Sequence, residues 1–128
     1  MDEPRPRASR RARPRRARLS RSAEFERAYR QGRSHGNRHL VVYAFARTTT
    51  EEQARLGLSV SRKVGGAVDR NLVKRLLREA FDAEADIVPA GHDVVVVARP
   101  SALELAEREG LDGMRSALRE LLEKAGAA

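Results

Sequence analysis

Residues Asp69–Phe81 read DRNLVKRLLREAF, and their side chains sort by angle. On a helix of ~100° per residue, with Arg70 at zero, Lys74 falls near ~40°, Arg78 near ~80°, Asn71 near ~100° and Arg75 near ~140°. Leu72 falls near ~200°, Leu76 near ~240°, Ala80 near ~280°, Val73 near ~300° and Leu77 near ~340°. The polar and aliphatic arcs do not overlap. The aliphatic arc therefore faces a sheet, and a cationic stripe faces outward.

An ordinary solvated helix face relieves such charges with acids one turn away. Here Asp69 and Glu79 stand at the ends of the basic cluster, while Arg70, Lys74 and Arg78 repel one another at i,i+4 spacing. That arrangement points to a counter-charge supplied from outside the helix. Asn71 adds a neutral amide that both donates and accepts.

The whole chain agrees. Its 128 residues carry a net charge of +8, a balance that favours a polyanionic partner. The charge is unevenly placed: residues 1–18 are net +6, residues 54–78 net +6 and residues 79–128 net −6. Arg accounts for 23 of the 26 basic residues, which suits bidentate phosphate binding and equally reflects a GC-rich codon bias. The absence of cysteine excludes disulfides and thiolate metal sites. No apolar run is long enough to span a bilayer, so no membrane association is expected and a cytoplasmic location is the default.

Residues 1–18, MDEPRPRASRRARPRRAR, are too poor in large apolar groups to fold and read as a disordered Arg-rich tail. Residues 19–126 read as a single α-β domain. LSRSAEFERAYRQG forms a short helix ending at Gly32, with Phe25 and Tyr29 on one face. His39–Arg47 is a strand with two rather apolar faces. Arg55–Lys63 is a second strand, placing Leu56, Leu58 and Val60 on one side and Gly57, Ser59 and Ser61 on the other. Those small groups let a polymer lie close. Gly65-Gly66 precedes the basic helix, expected over 67–85. The four consecutive valines of GHDVVVVARP mark a well-buried third strand. Residues 101–110 read as a loop or a short helical turn, and GMRSALRELLEKAG as an amphipathic final helix. The element order is αββαβα, an α+β class.

Four blocks, SAEFERAYRQGRS, LVVY, RLGLSVSRKVGGAVDRNLVKRLLREAF and DVVVVARP, resemble the protein subunit of bacterial ribonuclease P. The likeness runs over about residues 19–124. That family's signature helix reads Arg-Asn-Arg, two residues, Lys-Arg, two residues, Arg. Arg70, Asn71, Lys74, Arg75 and Arg78 match it, and Leu72 stands where the second Arg is usual.

The resemblance implies a two-layer α-β sandwich whose second and third strands are parallel and joined through the basic helix by a left-handed crossover. It also implies a function: binding the catalytic RNA subunit of ribonuclease P, one protein per RNA, and assisting the Mg²⁺-dependent removal of the 5′ leader from precursor tRNA. Catalysis and most of the Mg²⁺ belong to the RNA. By this likeness Arg70, Asn71, Lys74, Arg75, Arg78, Arg62 and Lys63 contact the RNA subunit. Phe25, Tyr29, Tyr43, Ser59 and Ser61 line a cleft for the single-stranded leader. Aromatic platforms beside a cationic groove are suited to such a strand. Core packing competes as the role of Phe25, and Phe45 and Phe81 read as core residues.

No protein-borne active site is expected. GGAVDRN lacks the Gly-Lys-Ser/Thr of a phosphate-binding loop, and the acids show no two-metal spacing. His35 and His39 fall in a loop and a strand start, and His92-Asp93 in a turn entering the third strand. Two other readings fit the composition: a ribosomal or other structural RNA-binding protein, and a self-sufficient nuclease.

Overall fold

A computed structural model describes residues 17–18, 22–46, 54–88 and 91–127. Strands β1 (Ala17–Arg18), β2 (Arg33–Gly36), β3 (Leu40–Ala46), β4 (Arg55–Ser59) and β5 (His92–Ala98) form one sheet in the order β1–β4–β5–β3–β2. Helices α1 (Ser22–Gln31), α2 (Ala67–Ala83) and α3 (Ser101–Ala127) pack on it. β4 and β5 are parallel neighbours joined through α2, and β3 runs antiparallel to β5. This is the expected α+β arrangement.

The valine run makes β5 the centre of the sheet. Val94, Val95 and Val96 are fully buried because both faces of β5 are covered. On one face α2 and α3 pack against each other and against the sheet. There Leu40, Val42, Leu56, Val94 and Val96 meet Val73, Leu77 and Phe81 of α2 and Met114, Leu118 and Leu121 of α3. On the other face α1 lies over β3 and β5, with Ala28 against Val95. The residues buried on α2 are Val73, Leu76, Leu77, Ala80 and Phe81, so the aliphatic arc faces the sheet as its spacing predicts.

Several boundaries differ from expectation. Of the Arg-rich tail, residues 1–16 lie outside the described residues, whereas Ala17 and Arg18 pair in parallel with Arg55 and Leu56. The last two residues of the stretch read as tail thus belong to the sheet.

β2 falls where the sequence shows only a polar loop. It pairs antiparallel with β3, from Arg33 opposite Ala44 to Gly36 opposite Val41. Asn37 makes the turn: its Oδ1 accepts from the backbone N–H groups of His39 and Leu40 at 3.0 and 2.9 Å. Its Nδ2 donates to the Ala117 carbonyl at 3.0 Å, fastening the hairpin to α3.

β4 stops at Ser59, short of Lys63. The chain turns through 62–64, with Val64 N–H donating to the Ser61 carbonyl at 3.0 Å, and this tucks Val60 and Val64 into the core. Helix α3 begins at Ser101, so residues 101–110 belong to a long helix, neither a loop nor a short turn. Ala102, Leu105 and Ala106 supply its buried side. Gly110, at φ 62° and ψ −144°, interrupts the helix in a conformation nearly confined to glycine.

Candidate nucleic-acid interface

Two groups of predicted residues come together, on opposite faces of the sheet. The first is the outer face of α2. Asn71 and Arg75 are exposed, and Arg70, Lys74 and Arg78 are half-exposed. Among the described residues no carboxylate pairs with Arg70, Lys74 or Arg75, although Glu79 follows Arg75 by one turn. Arg78 engages another group within the chain. Arg70 Nε is buried with no hydrogen-bond partner, a donor that folding leaves unsatisfied. Arg62 and Lys63 are exposed in the turn between β4 and α2. Leu72 is half-buried against the core, at the edge of the aliphatic arc.

The second group floors and roofs a cleft under α1. Residues directly opposite in register share a face, so the floor is three rows across β3, β5 and β4. Phe45, Asp93 and Arg55 form one row, Tyr43, Val95 and Gly57 the next, and Val41, Val97 and Ser59 the third. Phe25 and Tyr29 descend from α1. Their ring centroids lie 6.4 Å apart, and Tyr29 meets Tyr43 edge-on at 4.9 Å. Tyr29 is 39% exposed, so this aromatic cluster is open to solvent. Gly57 and Ser59 leave the β4 side of the floor low.

Two predicted placements need correction. Ser61 lies past the end of β4, at the start of the 62–64 turn, so it is not part of the strand floor with Ser59. Phe45 lies on the cleft side and is only half-buried, with the Arg27 guanidinium 5.6 Å from its ring centroid. Its odd parity on β3, shared with Tyr43, is the signal that places it there. Phe81 is fully buried, as expected.

An ion triad closes one end of the cleft, and no local pattern announces it. Arg55 Nε and Nη2 donate to the two oxygens of Asp93, both at 2.8 Å, and Nη1 donates to Glu24 Oε2 at 2.9 Å. The hydrogen bond to Asp93 holds the Arg55 guanidinium far above its usual pKa despite burial, with Glu24 assisting. His92 opens β5, and Asp93, expected in a turn, sits inside the strand with a fully buried side chain.

A second buried carboxylate ends α2. Burial alone would push the Glu84 carboxyl up, yet Arg115 and Arg119 of α3 hold it below the ordinary glutamate value. Arg115 Nε lies 2.9 Å from Glu84 Oε2, and Arg119 donates to Oε1.

The histidines do not converge. His39 Nδ1 lies 2.9 Å from Ser101 Oγ, which itself donates to the Arg38 carbonyl, while His35 belongs to β2. Among the described residues no group of three or more His, Cys, Asp or Glu could hold a metal, and no helix is long and apolar enough to cross a membrane.

The geometry defines a class: a small basic α+β protein with a cationic helix face, on which Arg70, Lys74 and Arg75 have no carboxylate partner among the described residues, and a half-open aromatic cluster on the opposite side of the sheet. Comparison with known proteins gives the family. The Ribonuclease P family model matches residues 14–126, and the chain belongs to that family. Among its relatives is the ribonuclease P protein component of Clostridium acetobutylicum, 36% identical over 109 residues that cover 85% of this chain and 88% of that protein. The component from Desulfovibrio desulfuricans is 43% identical over 93 residues, 73% of this chain and 72% of its own.

Solved structures agree. The RNase P protein from Thermotoga maritima superposes with a TM-score of 0.75 at 34% identity, covering 85% of this chain and 97% of that one. The Staphylococcus aureus protein gives 0.72 at 36% identity, over 84% and 94%.

Proposed function

We propose that this chain is the protein subunit of a ribonuclease P holoenzyme, one copy per RNA, that binds the catalytic RNA and the 5′ leader of precursor tRNA in the cytoplasm. The observation that carries the reading is the α2 face: among the described residues Arg70, Lys74 and Arg75 stand without carboxylate partners, in a chain that belongs to the ribonuclease P family. Arg75 and Lys74 project as donors with no acceptor among those residues. Phosphates of the RNA subunit supply the missing counter-charge, and Arg62, Lys63, Asn71 and Arg78 extend the contact. Binding releases counterions, which makes it steeply salt-dependent.

The cleft takes the single-stranded leader. Bases stack on Phe25, Tyr29 and Tyr43, because every base has a π-face and the contact needs no particular sequence. Ser59 offers a hydroxyl at the low side of the floor, and Ser61 serves at the mouth beside Arg62 and Lys63. Hydrolysis of the phosphodiester belongs to the RNA and its Mg²⁺. The protein acts on binding: by neutralising phosphates at the junction of two polyanions, it reduces the repulsion that Mg²⁺ must otherwise screen.

Reconstitution tests this. Added to a bacterial ribonuclease P RNA at low Mg²⁺, the protein restores cleavage that yields the mature tRNA 5′ end. Failure to stimulate, or cleavage by RNA-free protein, overturns the reading.

A further inference from the structure

The cleft lies where α1 packs on the sheet, and what fixes the helix over the sheet is a separate matter from what lines the cleft. Helix α1 touches the sheet through small and aromatic groups: Ala28 on Val95, and Phe25 and Tyr29 beside Tyr43, Phe45 and Val97. Such contacts, with the Arg27 guanidinium over the Phe45 ring, are weakly directional and allow the helix to shift. The charged hydrogen bond that ties α1 to the sheet among the described contacts is at its start, where Glu24 meets Arg55. Arg55 stands directly opposite Asp93 in the β4–β5 register, which stands directly opposite Phe45 on β3. A single guanidinium thus ties the end row of the cleft floor to the residue next to Phe25.

The fork is well suited to that task. Arg55 grips Asp93 through two parallel hydrogen bonds, an arrangement that fixes the guanidinium plane. Its remaining nitrogen, Nη1, then points to one place, where Glu24 Oε2 receives it. The side chain of Asp93 is 1% exposed and that of Glu24 16%, so solvent does little to loosen the set. Charge alone does not require this arrangement. A surface pair would neutralise Glu24 equally well without spanning three elements.

We infer that Arg55 is a positioning residue: by holding Glu24 to Asp93 it sets the height and tilt of α1 over the sheet, and so the placement of Phe25 and Tyr29 against Tyr43 that presents their exposed ring faces to a single-stranded nucleic-acid base. This rests on the proposed reading of the cleft as the leader site. Arg55 itself touches no base. It acts through the helix, and a displacement near 1 Å is enough to matter for a stacked ligand.

Two conservative variants of the full chain separate positioning from folding. Glu24→Gln keeps the shape and an acceptor but removes the charge. Arg55→Lys keeps the charge but, as a single flexible ammonium, cannot grip Asp93 side-on and reach Glu24 together. Each is assembled with ribonuclease P RNA, and dissociation constants are measured for precursor tRNA with a leader, for mature tRNA and for the RNA subunit alone, below the melting range of the variant.

Both variants are expected to weaken leader-bearing precursor by roughly three- to tenfold while mature tRNA and RNA-subunit binding stay unchanged. Combining Glu24→Gln with Tyr29→Ala is expected to lose less than the product of the separate losses, because both act on one cluster. Equal losses for precursor and mature tRNA, or a lower melting temperature with leader preference intact, would make Arg55 a stability residue only and overturn the inference. If Tyr29→Ala also leaves the leader preference intact, the leader reading of the cleft falls first, and this inference with it.

Discussion

Helices α2 and α3 both carry Arg and Lys on their outer faces, yet they use them in opposite ways. On α3, Arg108 pairs with Glu104 at 3.7 Å, Arg119 with Glu123 at 3.2 Å and Lys124 with Glu120 at 3.7 Å, each four residues apart. On α2, Arg70, Lys74 and Arg75 have no such partner among the described residues. The paired face is a solvated surface whose bridges are worth a few tenths of a kcal/mol each. The unpaired face keeps its electrostatic attraction for something outside the fold. Two helices rich in cations are therefore told apart by the placement of acids one turn away, which a count of charges does not capture.

Neutralising each face in turn makes the largest test of that contrast. Arg70→Gln, Lys74→Gln and Arg75→Gln together are expected to weaken binding to ribonuclease P RNA on the order of 10–100-fold at physiological salt. Arg108→Gln and Lys124→Gln together are expected to change it less than about twofold, since their charges are already balanced. Filter binding or fluorescence anisotropy measures both. Comparable losses from the two sets would erase the distinction.

Next in size is the buried contact that joins the two helices. Glu84→Gln removes a charge held between Arg115 and Arg119 and is expected to lower stability by on the order of 1 kcal/mol, with RNA affinity preserved. The pH dependence has a definite sign. Because the folded protein holds the Glu84 carboxyl below its ordinary value of about 4.3, its stabilising effect is complete above that pH and disappears as pH falls through the lower folded value. Thermal melts from neutral to acid pH should show wild type and Glu84→Gln converging at the acid end. A gap that widens on acidification would contradict the assignment.

Leu72→Arg is the smallest expected effect and sharpens the edge of the stripe. It places a cation at the border of the aliphatic arc, where one further phosphate contact would raise RNA affinity several-fold and the salt slope by about one. Leu72 packs half-buried against the core, so the same change is expected to cost about 1 kcal/mol in thermal stability. Lower affinity in a fully folded variant would show that the stripe ends at Asn71.

What the sequence revealed follows the range of each interaction. Helix α2 was legible because its period of 3.6 sorts every side chain within thirteen residues, and β5 because four valines in a row fit only a doubly covered strand. The aromatic pair Phe25 and Tyr29 was legible from i,i+4 spacing. β2 was hidden because Arg33-Ser34-His35-Gly36 has no apolar alternation, although the Asn37 that builds its turn was a usable signal. The first half of α3 was obscured by Gly110, which breaks the helix without ending it. The Arg55 triad links residues 31 and 38 positions apart, so no local window contains it. Phe45 was misplaced because both faces of its strand are apolar, which masked the parity it shares with Tyr43.

The central claim, that the α2 stripe is the electrostatic contact with RNA, meets its most direct test in the salt dependence of complex formation. The slope of log affinity against log salt is measured for wild type and for the Arg70, Lys74 and Arg75 triple-Gln variant with ribonuclease P RNA. At roughly 0.9 per phosphate contact, the variant's slope should be shallower by about two to three. An unchanged slope, in a variant that folds as wild type does, would show that these cations bind no phosphate.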